Sequence, residues 1–84
     1  TIHYYRGLSY QHIKDYQAAI ADYTQAIILT PQDGACYFNR GSVYALMGNY
    51  RSAINDYSTA IKQSLSDDLY HRALLSKLKN QISS

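Results

Sequence analysis

The fold of this chain is decided by residues 6–27, RGLSYQHIKDYQAAIADYTQAI, and by their counterpart at residues 40–61, RGSVYALMGNYRSAINDYSTAI. Both segments carry Arg-Gly, Tyr, Tyr, Ala-Ile, Asp-Tyr and Ala-Ile in the same order, at an offset of 34 residues. A fixed period of this length is typical of a solenoid, in which each unit buries its apolar face by stacking on its neighbours. The pattern therefore predicts a binding surface better than it predicts a reaction.

Apolar residues recur at helical spacing along most of the chain, as at Ala19, Ile20 and Tyr23. Gly48 suits the left-handed conformation that is common just past the end of a helix. The first unit closes at Pro31, because the residue before a proline is pushed out of the helical region. We therefore expect an all-α chain with helices at residues 2–13, 16–29, 35–47, 50–63 and 68–82.

The two units resemble the tetratricopeptide repeat, a helix-turn-helix of about 34 residues. The matching positions, which the resemblance assigns to packing within and between repeats, are Gly7, Tyr10, Ala19, Tyr23, Ala26 and Pro31, then Tyr37, Gly41, Tyr44, Ala53, Tyr57 and Ala60. Several positions depart from the family pattern. His3 replaces an aromatic residue, Leu65 replaces the closing proline of the second unit, and Leu75 stands where a glycine would be expected.

The resemblance implies a right-handed helix-turn-helix solenoid of five antiparallel helices. The parts of this single domain (1–84) would be repeat 1 at about 1–33, repeat 2 at about 34–67, and a capping or partial third-repeat helix at about 68–82. Ser66 or Asp67 can cap that last helix. The chain opens at Thr1 without a methionine, and we expect it to be a segment of a longer protein.

The composition is that of a folded and weakly basic domain. Eight Lys and Arg against six Asp and Glu give a formal net charge of +2. The cations are scattered, whereas a nucleic-acid binder usually concentrates them in a stripe. Cys36 is the only cysteine, which excludes an internal disulfide and fits a reducing compartment. No apolar run approaches the roughly 18 residues that cross a bilayer. We expect a cytoplasmic location, with neither nucleic acid nor membrane as partner.

Neither a catalytic site nor a metal site is expected. His3, His12 and His71 lie far apart and share no metal-ligand spacing. Cys36 lacks the His or basic neighbours that mark a nucleophile, so a buried thiol is expected there. The sequence has no glycine-rich phosphate loop and no paired catalytic carboxylates. The chain is predicted not to be an enzyme and to need no cofactor.

Arg6 and Arg40 stand just before the repeat glycines, where the family usually has an aliphatic residue. An acid follows each arginine sixteen positions later, at Asp22 and Asp56. An arginine in a helix–helix seam needs a carboxylate partner, because a buried unpaired charge is strongly destabilising. We therefore expect Arg40 to pair with Asp22 or Asp56. The alternative is that these groups are solvated surface charges.

In the family, the first helices of successive repeats line a concave groove that binds peptide segments of other proteins. The groove residues that the resemblance implies here are Tyr4, Tyr5, Leu8, Gln11, His12, Phe38, Asn39, Ser42 and Arg72. Exposed aromatic groups beside an amide offer apolar area at low entropy cost, and hydrogen bonds for a peptide backbone. Tyr4 and Phe38 have an alternative role as packing residues between neighbouring helices.

One subset of the family holds a C-terminal carboxylate in a clamp of Lys, Asn and Arg side chains. Asn39 matches the asparagine of that clamp. Tyr4, Leu8, Leu69 and Ala73 occupy its other positions, where basic residues and a second asparagine would be needed. A carboxylate clamp is therefore not expected in this chain.

Three functions stay open on the sequence. The leading one is a protein-interaction module that presents its groove to a peptide, within a larger scaffold protein. The second is a self-associating or structural stacking element of a longer array, since two repeats leave apolar faces at the ends. The third is RNA binding, because related helical repeats read bases with groove side chains.

Overall fold

The computed structural model describes residues 2–64 and 69–83. Within them the chain forms five helices and no strand: α1 (Ile2–His12), α2 (Tyr16–Leu29), α3 (Gly34–Leu46), α4 (Tyr50–Ser64) and α5 (Leu69–Ser83). The expected all-α, helix-turn-helix class is confirmed. The helix ends differ from the sequence expectation by about one residue, as at α1, which stops at His12 instead of Ile13.

Each helix packs on the next one along the chain, from α1 on α2 to α4 on α5. In addition α1 touches α3 directly, so the first helices of the two repeats lie side by side. The molecule measures 36 × 27 × 17 Å along its principal axes. In the described part of the chain, no helix is both long enough and apolar enough to cross a membrane.

The turns inside the two repeats share one backbone geometry. In the first repeat the N–H of Lys14 donates to the carbonyl of Gln11 at 3.0 Å, and the next N–H donates to Tyr10 at 2.9 Å. The second repeat makes the equivalent bonds around Gly48. Both central residues are left-handed, with φ of 66° at Lys14 and 82° at Gly48. The conformation expected of Gly48 is confirmed, and Lys14 adopts it without the freedom of a glycine.

Residues of the repeat pattern make up most of the buried core. Two buried clusters form around Ala19, Tyr23 and Val43 and around Ala53, Tyr57 and Leu78. Tyr10, Tyr16 and Ile20 pack against the first cluster, and Tyr44, Tyr50 and Leu75 pack against the second. The tyrosine-rich composition is thus largely a property of the helix–helix seams.

The repeat glycines mark close helix contacts. A Cβ atom on Gly7 would lie 2.7 Å from Cε1 of Tyr23, and one on Gly41 would lie 3.1 Å from Cβ of Asp56. The absence of a side chain therefore lets the second helix of each repeat approach the first. The expected caps Ser66 and Asp67 lie outside the described residues, as does Leu65.

Candidate functional site

Each repeat contains one bidentate arginine–aspartate pair. Nε and Nη2 of Arg40 donate to the two carboxylate oxygens of Asp56 at 2.8 and 2.7 Å. Nε and Nη2 of Arg6 donate to Asp22, both at 2.8 Å. The hydrogen bonds and charge of Arg6 hold the pKa of the Asp22 carboxyl below its usual value. Of the two partners open to Arg40 on the sequence, the structure has Asp56, so each pair lies within one repeat.

The two pairs differ in what covers them. The Arg40 side chain is 19% exposed, because α2 packs over it, and its Nη1 donates to the hydroxyl of Thr24 at 3.2 Å. The Arg6 side chain is 54% exposed. The two aspartate side chains are equally buried, each being 7% exposed. Arg40 therefore belongs to the seam between repeats, whereas Arg6 stands at the outer face of α1.

The first helices of the two repeats are tied together by a hydrogen bond. Nδ2 of Asn39, on α3, donates to the hydroxyl of Tyr4, on α1, at 2.9 Å. The Tyr4 ring also lies edge-on to Tyr5, with ring centroids 5.4 Å apart. Tyr4 thus has a packing role and borders the groove as well, so the two roles open on the sequence are not exclusive.

Two pockets adjoin on this α1–α3 face, and Asn39 lines both of them. The upper pocket, about 490 Å³, lies at the N-terminal ends of the helices and is lined by Tyr4, Asp33, Gly34, Ala35, Phe38, Asn39 and Ala60. The lower pocket, about 420 Å³, lies at their C-terminal ends and is lined by Leu8, Gln11, His12, Lys14, Tyr16, Asn39 and Leu46. Because they share Asn39, we refer to the two pockets together as the α1–α3 groove.

A buried tyrosine orients the amide of Gln11 in the lower pocket. The Tyr23 hydroxyl donates to Oε1 of Gln11 at 2.8 Å. Burial raises the pKa of Tyr23 to about 12, so this hydroxyl stays protonated and remains a donor through the neutral range. The bond fixes which way the Gln11 amide points, and Nε2, which has no partner among the described residues, can donate to a ligand.

The structure brings together only part of the groove set expected from the sequence. Tyr4, Leu8, His12 and Asn39 line the two pockets, and so does Phe38, whose ring centroid lies 5.2 Å from that of Tyr57.

Two other members of that set, Tyr5 and Ser42, line neither pocket. Tyr5 is exposed. Ser42 turns inward, where its hydroxyl lies 3.0 Å from that of Tyr57 and 3.1 Å from the Phe38 carbonyl. The side chain of Arg72 lies outside the described residues.

Three residues of the lower pocket, Lys14, Tyr16 and Leu46, were not predicted from the sequence as groove residues. Leu46 follows Asn39 by seven positions, so the two share a helical stripe, and the period itself could have indicated it. Lys14 lies between the predicted helices at residues 2–13 and 16–29, so the sequence predicts it to be a turn residue. Nothing in its sequence context shows that a turn residue would line the groove.

A further pocket of about 470 Å³ lies between α4 and α5, away from the groove. It is lined by Arg51, Ile54, Asn55, Lys79 and Ile82. Because it is bordered by only one pair of neighbouring helices, it lacks the continuity across repeats that Asn39 gives the α1–α3 face.

Two further groups with reactive chemistry are the Cys36 thiol and the His3 imidazole. Cys36 is buried, and burial raises the pKa of its thiol, so it is a weak nucleophile at neutral pH. Nδ1 of His3 lies 3.6 Å from Oδ1 of Asp22. Among the described residues, no three His, Cys, Asp or Glu side chains come together as a metal site would require.

Helix pairs stacked at a fixed period define a helical-repeat protein. A family model described as tetratricopeptide repeat matches residues 1–33 and 34–64. The chain belongs to the tetratricopeptide repeat family. Repeats of this family generally mediate protein–protein interactions and are typically non-enzymatic modules. A comparison with curated protein sequences gave no match.

Proposed function

We propose that this chain is an interaction module that binds a peptide segment of a partner protein in the α1–α3 groove, as part of a larger scaffold protein. The observation that carries the proposal is that Asn39 lines both pockets on the α1–α3 face. Pockets of this size suit side chains of a ligand. A peptide crossing the groove would place side chains in both pockets and its backbone beside the amide between them.

The chemistry of the groove supports the same function. Leu8 and Leu46 are exposed at the lower pocket and offer apolar area to a ligand. Gln11 and Asn39 add amide groups that can bond a peptide backbone. This mixture of apolar walls and a few placed polar groups is usual for ligand sites.

A peptide-display selection with matched variants tests the proposal. Leu8→Glu and Leu46→Glu place a charge in the groove, and Ile28→Glu places one at an exposed position of α2 outside both pockets. Circular dichroism and thermal melting would establish that all three variants are folded. We expect peptides selected by the wild type to bind the Ile28→Glu variant and to lose binding to both groove variants.

Two results would contradict the proposal. If the groove variants and the Ile28→Glu variant bind the selected peptides alike, the peptide site lies elsewhere on the molecule. If the wild type selects no peptide, the chain does not act as a peptide-binding module.

A second function, self-association through the outer face of α1, is favoured by one comparison between the repeats. Ile2 is 79% exposed, whereas Cys36 at the equivalent position is 1% exposed. On α3 this face is covered by α2, whereas the equivalent outer face of α1 is exposed. Sedimentation equilibrium tests this function with Ile2→Glu and, as control, Leu46→Glu. A dimer dissociated only by Ile2→Glu would support it, and a monomeric wild type would remove it.

A further inference from the structure

We propose that the α1–α3 groove selects an extended peptide carrying an Asp or Glu side chain, with that carboxylate seated beside Lys14 in the lower pocket. The proposal rests on the proposed peptide-binding function and names the chemistry of the ligand. Three independent observations carry it: the orientation of two amides, the charges of the pocket walls, and the backbone conformation of Lys14.

Each amide keeps one polar atom without a described partner at the groove. Oε1 of Gln11 accepts from the Tyr23 hydroxyl, and Nδ2 of Asn39 donates to the Tyr4 hydroxyl. Among the described residues, Nε2 of Gln11 and Oδ1 of Asn39 have no hydrogen-bond partner. Both residues line the lower pocket. An extended peptide displays carbonyl and N–H groups along its length, which is the complement of this pair.

The lower pocket is basic. Lys14 and His12 line it, and none of the described residues that line it is acidic. The nearest acid in sequence, Asp15, does not line the pocket, and its carboxylate accepts the N–H of Ala18 as the N-cap of α2. The upper pocket has the opposite character, since Asp33 is its one charged lining residue among those described. A carboxylate of the ligand is therefore directed to the lower pocket.

The backbone of Lys14 shows that this cation stands at a position with a structural cost. Lys14 has φ of 66°, and the equivalent residue of the second repeat is Gly48, with φ of 82°. A residue with a Cβ atom is disfavoured in this conformation, and glycine is not. The fold alone would be better served by glycine at both turns. Lys14 lines the lower pocket, and its side chain is long enough to offer its ammonium group to a ligand carboxylate there.

This geometry separates stability from binding in a single substitution. Lys14→Gly relieves the left-handed backbone and removes the ammonium group. We expect it to raise the Tm by roughly 4–8 °C and to weaken binding of an acidic peptide by about twofold to fivefold. A variant that is more stable yet binds less cannot owe its loss of binding to unfolding.

The test uses random dodecamers fused to a phage coat protein, so that no library peptide has a free C-terminal carboxylate. Wild type, Lys14→Glu and Lys62→Glu would each be used for selection. Lys62 is exposed at the end of α4 and lines neither groove pocket, so Lys62→Glu matches the change in net charge. We expect one enriched Asp or Glu position with wild type and Lys62→Glu, and loss of that preference with Lys14→Glu.

A selected peptide would then be synthesised with Glu and with Gln at the enriched position. For wild type at low salt, we expect the Glu peptide to bind about twofold to fivefold more tightly. For Lys14→Gly that ratio should fall to about one. Peptides that bind the groove with no Glu preference, or with a ratio unchanged in Lys14→Gly, would overturn the acidic specificity and leave the peptide function standing. Failure to select any groove-dependent peptide would overturn both.

Discussion

Replacing Gly7 with alanine tests the close helix approach on which the first repeat depends. The added Cβ atom would lie 2.7 Å from Cε1 and 2.8 Å from Cδ1 of Tyr23. The Tyr23 ring cannot swing away, because it is fully buried and its hydroxyl is bonded to Gln11. Overpacking of this kind costs about 1–3 kcal/mol. Alanine recovers about 1 kcal/mol of helix propensity. The contacts at 2.7 and 2.8 Å place the overpacking at the upper end of its range, so we expect a net destabilisation of up to about 2 kcal/mol.

Urea denaturation followed by circular dichroism measures this change directly. A loss of about 1 kcal/mol corresponds to a fall in Tm of roughly 4–8 °C for a domain of this size. Gly41→Ala is the matched control, because its Cβ atom would meet Asp56 and Tyr57 at 3.1–3.2 Å and needs only a small adjustment. We expect it to cost less than Gly7→Ala. If Gly7→Ala were as stable as wild type or more stable, the clash with the Tyr23 ring would not exist as described.

The same substitution should also reach the groove. Displacing the Tyr23 ring moves the hydroxyl that orients Gln11. We therefore expect Gly7→Ala to weaken binding of a groove-selected peptide under conditions in which the variant is still folded. Unchanged affinity in the folded variant would mean that the Tyr23–Gln11 bond does not organise the site.

Three further predictions concern the charged and thiol groups. Arg40→Met leaves the Asp56 carboxylate buried without its partner and should cost about 3 kcal/mol by denaturant titration; Arg6→Met should cost less, since the Arg6 side chain is more exposed. The lowered pKa of Asp22 contributes stability that is present above its unfolded pKa of about 4 and is lost as the pH falls through the folded value. Unfolding measured between pH 5 and pH 2 should show a steeper loss in wild type than in Arg6→Met; parallel profiles would contradict this. Cys36 should react with Ellman's reagent only as the chain unfolds, and fast reaction of the native protein would contradict its burial.

The sequence predicted the helices well because their signal is periodic and local. Repeated apolar spacing and the left-handed Gly48 were sufficient for the five helices and for one of the two turns. The spacing of sixteen residues also indicated an arginine–aspartate pair, but it left Asp22 and Asp56 open as partners of Arg40. That choice depends on which helix pair is closer in space, and sequence spacing alone does not contain this information.

The groove was harder to predict because lining a surface depends on side-chain direction. Ser42 lies on the expected helix and still turns toward Tyr57. Lys14 lies in a turn, yet the left-handed backbone brings its side chain to the lower pocket. The donor left at Gln11 is likewise visible only once the Tyr23 hydroxyl is seen to occupy its oxygen.

The central claim, that ligands bind across α1 and α3, is tested most directly by NMR. A peptide selected by the wild type would be titrated into labelled protein while the side-chain amide signals of Gln11 and Asn39 are followed. We expect saturable shifts of both signals, accompanied by shifts at Leu8 and Leu46. Shifts confined to the α4–α5 pocket around Arg51, with both amide signals unchanged, would contradict it.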